Sequence, residues 1–242
     1  MTARHLHQQC PDPQHRSDAH VGAIAGGLRL LRLPAEIAER LKPYLDVAQA
    51  LGSLVGQLDP VDVRELRVTC TGEAGDLGVT PIARAALAGF LQHHLEEPVN
   101  PISAPYEAQE RGIKLAEVKE PSDRYAATIR VTVTGEKGIH TATGTPGRQG
   151  EPRLVGLEGY EIDAVMEGDV IVMHNLDRPG VIGAVGTLLG TRGINVSRMQ
   201  VGLDERSEQA LALWNVDSTV NGAVLDELRA LDHVSSVHTL RL

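Results

Sequence analysis

The residues best equipped for chemistry stand in one stretch, residues 169–199, DVIVMHNLDRPGVIGAVGTLLGTRGINVSRM. Asn175 and Asp177 sit in a short polar turn closed by Pro179-Gly180, and Ile194-Asn195 follows further along. A carboxylate at Asp177 can accept hydrogen bonds from an ammonium group, and Asn195 offers both a donor and an acceptor. Backbone N–H groups at a helix start, around Gly180, Val181 and Ile182, suit a carboxylate. Such a constellation meets a zwitterion with opposite polarity at each end, which is recognition of a small polar molecule rather than its turnover. The plainer alternative is that Asp177 caps the helix and Asn195 satisfies local backbone.

These groups need elements to hold them. Residues 170–173 are a β-type run, and Val181, Ile182, Val185, Leu188 and Leu189 then recur at helical spacing on one face. Pro179 fits a first-turn position, where its fixed φ suits a helix start and its missing N–H is not needed. Gly190 and Gly193 punctuate the helix end before a second extended run opens at Ile194. Strands over 197–203 and 209–216, a helix marked by Leu225, Leu228 and Leu231, and a strand over 234–240 complete a βαββαβ order. That order predicts a ferredoxin-like sheet with helices on one face. An exposed sheet edge is a ready pairing surface, so a homodimer through this unit is expected.

The run Asp177-Arg178-Pro179-Gly180-Val181-Ile182-Gly183, with Gly186-Thr187-Leu188-Leu189-Gly190 and Gly193-Ile194-Asn195, resembles the ACT domain that ends D-3-phosphoglycerate dehydrogenases. The resemblance implies that a bound amino acid, L-serine or a similar one, lies between the turn and the start of the second strand. Positions matching Asn175, Asp177 and Asn195 contact the effector in that family, with Pro179, Gly180, Val181 and Ile194 flanking it. The effector would act at an ACT–ACT interface.

Upstream, LPAEIAERLKPYLDVAQALGSLVGQL places Ile37, Leu41, Tyr44, Leu45, Ala48, Leu51 and Val55 at helical spacing, with a kink or early break expected at Pro43. Residues 63–71 read as a strand, 72–78 as a loop, and Thr80 as the N-cap of a helix carrying Ile82, Ala85, Ala86, Gly89 and Phe90. Adjacent His93 and His94 cannot share a helix face, so they read as solvated or capping residues. Extended runs follow at 114–118, 128–134, 139–145 and 153–157, the second alternating strictly. Residues 29–168 thus read as an α+β domain with an antiparallel sheet and helices. The helix at 34–58, the Val99-Asn100 passage and Arg111-Gly112-Ile113 resemble the intervening, allosteric substrate-binding domain of the same dehydrogenases. The resemblance implies an anion site, with Arg153 at a matching position and Arg148 and His140 as nearby basic groups.

The chain has 242 residues, 42% of them hydrophobic, and a net charge of −9 without a long basic run, which argues against nucleic acid or an anionic membrane as partner. With one Phe and one Trp, the core must be built from Leu, Val, Ile and Ala. Cys10 and Cys70 make no disulfide framework, and a cytoplasmic location is expected. Residues 1–28 read as a disordered leader, since the spacing of His5, His7, His15, His20 and Cys10 matches no metal signature. Residues 169–242 form the ACT unit. No dinucleotide-binding GxGxxG turn after a strand, P-loop, GxSxG or HExxH is present, so no cofactor, metal or catalytic residue is expected. The expected role is a regulatory, serine-binding module acting in serine biosynthesis, with a separate catalytic dehydrogenase subunit as partner. The alternatives are a relative of the regulatory part of iron–sulfur L-serine dehydratase, or a truncated gene product.

Overall fold

The computed structural model describes residues 34–58, 60, 62–122, 126–204 and 208–242; the leader and its histidines lie outside the described residues. Helix α1 (Ala35–Gly56) opens the fold, with Leu41, Leu45, Ala48, Leu51 and Val55 buried along one stripe. The early break expected at Pro43 does not occur, and the helix runs on through it. An interior proline strips the carbonyl four residues back of its amide partner. Here that carbonyl belongs to Glu39, an exposed residue whose oxygen water can serve.

A six-stranded sheet follows, in the order β2-β1-β3-β4-β5-β6. Its strands are β1 (Glu65–Thr71), β2 (Lys114–Glu120), β3 (Ile129–Gly135), β4 (Gly138–Pro146), β5 (Pro152–Leu157) and β6 (Tyr160–Val165). The sheet is mixed rather than wholly antiparallel as expected, because β1 and β2 run parallel. Between them the chain makes a crossover through α2 (Gly72–Leu77), α3 (Val79–Leu91) and α4 (Ala104–Glu110), and a crossover is what a parallel neighbour requires. The stretch expected as a loop is therefore largely helix α2. Thr80 is not a cap: α3 starts from Gly78, and the Thr80 hydroxyl donates to Glu117 at 2.6 Å. Strand β6, absent from the sequence reading, forms a hairpin with β5 across Glu158-Gly159. Both turn residues have positive φ, 51° and 88°, the backbone twist that tight hairpins favour.

The second sheet is four-stranded and antiparallel, ordered β10-β7-β9-β8. It comprises β7 (Asp169–Leu176), β8 (Val196–Asp204), β9 (Gln209–Val216) and β10 (Val234–Arg241), with α5 (Val181–Thr191) and α6 (Gly222–Arg229) completing the βαββαβ order. Side chains alternate along a strand, and here both faces are used. Ile171, Met173, Ala212 and Trp214 pack under Val181, Val185 and Leu189 of α5 and Val224 and Leu228 of α6. Val170, Val172, Leu211, Leu213 and Leu240 instead join the core of the six-stranded sheet. Burial on both faces explains the near-continuous apolar runs of β7 and β9. At the junction Gln57 clasps the Arg241 backbone through both side-chain atoms, at 3.0 and 2.9 Å. Gly202 on β8 meets the Glu161 carbonyl so closely that a Cβ would lie 2.7 Å from it. No helix among the described residues is long and apolar enough to cross a membrane.

Candidate effector site

The polar turn leaves β7 at its buried penultimate residue, Asn175, which pairs in register with Ala210 and Val234. Its side-chain amide donates to the Leu176 carbonyl at 2.8 Å, so part of its hydrogen-bonding capacity is spent on the turn itself. Asp177 follows, exposed, with its backbone N–H donating to the Glu208 carbonyl at 2.8 Å. Arg178 then ion-pairs with the Glu208 carboxylate at 2.5 Å, and the turn is pinned to the start of β9 from two sides. The Asp177 carboxylate itself makes no hydrogen bond or ion pair with a described residue, and it does not cap α5.

Gly180 precedes α5 at φ +96°, a left-handed backbone that glycine adopts without strain. Among the described residues the first-turn N–H groups of Ile182 and Gly183 find no backbone acceptor, while Val181 N–H bonds the Arg178 carbonyl at 3.4 Å and Ala184 N–H the Gly180 carbonyl at 2.9 Å. Beside an open carboxylate there is thus an open pair of donors at the positive end of a helix, where an anionic group is favoured. Pro179 is exposed at this mouth. Val181 and Ile194 have their side chains in the core under α5, so they anchor the two ends of the helix and offer a ligand only backbone.

Asn195 is exposed and lies beyond the other end of α5. Its backbone accepts from Asp217 N–H at 3.1 Å and donates to the Asp217 carboxylate at 3.1 Å, leaving its side chain unbonded among the described residues. Glu208 and Asp217, which hold the two candidate regions, flank the 8 residues of β9 at opposite ends. At about 3.3 Å per residue the nine steps from Glu208 to Asp217 put the two candidate regions roughly 30 Å apart within one chain. No small amino acid spans that distance. The sequence carried a signal for these two supporting acids, since each stands just outside an apolar strand, but nothing in it marked what they would hold.

The residues expected to form an anion site do not converge. Arg153 on β5 is tied to Asp163 at 3.0 and 2.5 Å, and Arg148 is exposed in the β4–β5 connection. His140 shares a hydrogen bond with Glu158 at 3.2 Å. Thr145 stands opposite Arg153, five residues along β4 from His140, about 16 Å at strand rise. A cavity of about 260 Å³ does lie on the polar face of this sheet, lined by Arg130, Thr141, Thr143 and Tyr160, and it includes none of the three. Among the described residues no three His, Cys, Asp or Glu side chains are grouped to hold a metal ion. His93 bonds the Ser53 hydroxyl at 2.7 Å and His94 stacks near Phe90.

The model of the D-3-phosphoglycerate dehydrogenase intervening domain matches residues 40–158, and that of the ACT domain matches residues 170–233. The D-3-phosphoglycerate dehydrogenase of Synechocystis is 32% identical over 212 residues, 87% of this chain and 38% of its own length. That of Methanocaldococcus jannaschii is 30% identical over 210 residues, 87% of this chain and 40% of its own. That of Bacillus subtilis is 32% identical over 216 residues, 88% of this chain and 41% of its own. The chain therefore spans well under half the length of these relatives. Two folded units in this order, matched by these two families in turn, make the chain a D-3-phosphoglycerate dehydrogenase intervening domain followed by an ACT domain, homologous to the C-terminal portion of those dehydrogenases.

Proposed function

We propose that this pair of domains binds L-serine, or an amino acid of similar size, and so regulates a 3-phosphoglycerate-oxidising activity. The observation that carries the reading is the pair of open ends on α5. One end presents the unpaired Asp177 carboxylate beside the free N–H groups of Ile182 and Gly183, and the other presents the unbonded Asn195 side chain. Within one chain these ends are too far apart for one ligand. Two copies related by a two-fold axis, with α5 running antiparallel to its mate, bring Asp177 of each against Asn195 of the other. The exposed face of α5, with Gly183, Gly186 and Gly190 and nothing within 4 Å of a Cβ built on any of them, is smooth enough for that approach. The ligand's ammonium meets Asp177, its carboxylate the helix N-terminus, and its side-chain hydroxyl Asn195. Binding then favours the paired arrangement of ACT domains by its differential affinity for that arrangement.

Complementation tests this directly. Asp177→Ala and Asn195→Ala chains each lose both sites of a two-fold pair. A one-to-one mixture after subunit exchange regains about one site in four, because each mixed pair keeps one site free of either substitution. Recovery of serine binding in the mixture is the expected result. Wild-type affinity in either variant alone, or no recovery in a mixture shown to contain mixed pairs, would contradict a site shared between copies.

A further inference from the structure

β7 faces two ways at its end. Asn175 and Asp177 lead into the effector turn, whereas His174, one residue earlier, shares the face of Val170 and Val172 that packs on the intervening domain. His174 Nδ1 is 3.0 Å from the Ser236 hydroxyl of β10. Its ring meets Tyr160 of β6 edge-on, with centroids 6.0 Å apart and planes at 64°. His238 stands two residues beyond Ser236 on the same face of β10, opposite Val172. From the intervening domain, Glu158 in the β5–β6 turn contacts His140 of β4 at 3.2 Å and accepts from Thr141 N–H at 3.2 Å. Asp204 at the end of β8 lies within electrostatic reach of Tyr160. Three histidines, one tyrosine and two carboxylates thus gather where the two domains meet.

We propose that His174 is a proton-sensitive latch: neutral, it seals the ACT sheet against the intervening domain, and protonated, it loosens that contact and the effector turn that starts at the next residue. The latch stands on the domain contact alone; only its effect on the turn rests on the effector reading. A neutral imidazole fits this setting, with one nitrogen spoken for by Ser236 and the ring edge against Tyr160. A charged one would lose hydration at a half-buried position between two packed sheets. Burial holds the His174 pKa below the ordinary imidazole value of 6.5, the neighbouring His238 and His140 push it the same way, and Glu158 opposes them. A depressed imidazole pKa favours the neutral, closed form. The contact is complete above pH 6.5 and weakens as the pH falls below it.

Hydrogen–deuterium exchange of the full chain without any amino acid, at about pH 7.5 and about pH 5.5 and corrected for intrinsic rates, reads the latch. The wild type should lose about tenfold in protection across β6 and the end of β7 at the lower pH. His174→Asn keeps an amide near the Nδ1 position for Ser236 but takes up no proton, and its protection should not change with pH. Equal wild-type protection at both pH values, or an unaltered loss in His174→Asn, would overturn the proposal. Should that variant not fold, the His174 ring resonance of the wild type decides. A midpoint below 6.5 that falls further in Glu158→Gln supports the latch, and a midpoint at or above 6.5, or one indifferent to Glu158→Gln, refutes it. No effector is present, so failure here leaves the effector reading standing.

Discussion

Replacing Gly52 by alanine should loosen the helix pair on which the intervening domain is built. A Cβ at Gly52 would lie 1.9 Å from the Ala86 carbonyl oxygen, and one at Gly89 would lie 2.1 Å from that of Gln49. Helices α1 and α3 thus cross backbone against backbone, and no rotamer change relieves an overlap with a carbonyl. An ordinary carbon–oxygen contact is about 3.3 Å, so the helices must part by more than about 1 Å. That separation opens gaps around Leu51, Leu54, Leu87 and Phe90, all essentially without solvent exposure. Overpacking of this kind costs about 1–3 kcal/mol, against which the better helix propensity of alanine returns about 1 kcal/mol. The net loss is about 0–2 kcal/mol and lies toward the upper figure, a fall in melting temperature of several degrees for a chain of this size, because the overlap is with backbone. Gly222→Ala in α6 is the control, since a Cβ there meets nothing within 4 Å and only the propensity gain remains. Urea and thermal unfolding followed by circular dichroism compare the two. Gly52→Ala as stable as the wild type, or Gly222→Ala falling as far as Gly52→Ala, would refute this reading of where the backbone has room.

Asp177→Ala and Asn195→Ala should each weaken amino-acid binding by at least about tenfold, since a hydrogen bond to a charged group contributes about 1.5–3 kcal/mol. Both side chains are exposed and unbonded, so the melting temperature should stay put; a large fall in it would mean a structural role instead. The Tyr44 hydroxyl donates to Glu73 at 3.0 Å, and burial with that carboxylate lifts its pKa from 10.0 to about 12. A raised phenol pKa gives stability that is present below pH 10 and lost as the pH rises toward 12. Alkaline unfolding should therefore be flatter in Tyr44→Phe, and an identical pH profile would count against the contact. Burial likewise pushes the Cys70 thiol up to about 12, so in a Cys10→Ser background it should resist iodoacetamide until urea unfolds the chain. Rapid labelling of the folded protein would contradict its place in the core.

What could be read in the sequence was local. The helix α5 was legible because Pro179-Gly180 marks its start and Val181, Val185 and Leu189 repeat on one face, and the structure buries those three. The βαββαβ order followed from similar patterns and is what the second sheet shows. The parallel pairing of β1 with β2 was not legible, because it depends on where a crossover of three short helices delivers the chain. Strand β6 was missed because Glu161 and Asp163 interrupt a short run whose pairing is set by the hairpin turn.

The site shows the same division between types and distances. Asp177 and Asn195 were recognisable as polar residues bracketing a helix, but the length of α5 and β9, which separates them, was not. Arg153 and His140 were recognisable as basic, yet Asp163 and Glu158 reach them only through strand register, which a linear pattern does not display. His174 read as part of a polar turn. Its partners on β4, β6 and β10 come from three separate stretches of chain, so its position between the domains had no sequence signal.

Calorimetric titration of the purified chain with L-serine, with glycine, alanine and 3-phosphoglycerate as comparators, tests the central claim most directly. The account predicts saturable serine binding, weaker binding of glycine and alanine, which lack the hydroxyl, and loss of the serine signal in Asp177→Ala. Absence of binding by every amino acid, or serine binding that survives Asp177→Ala unchanged, would contradict it.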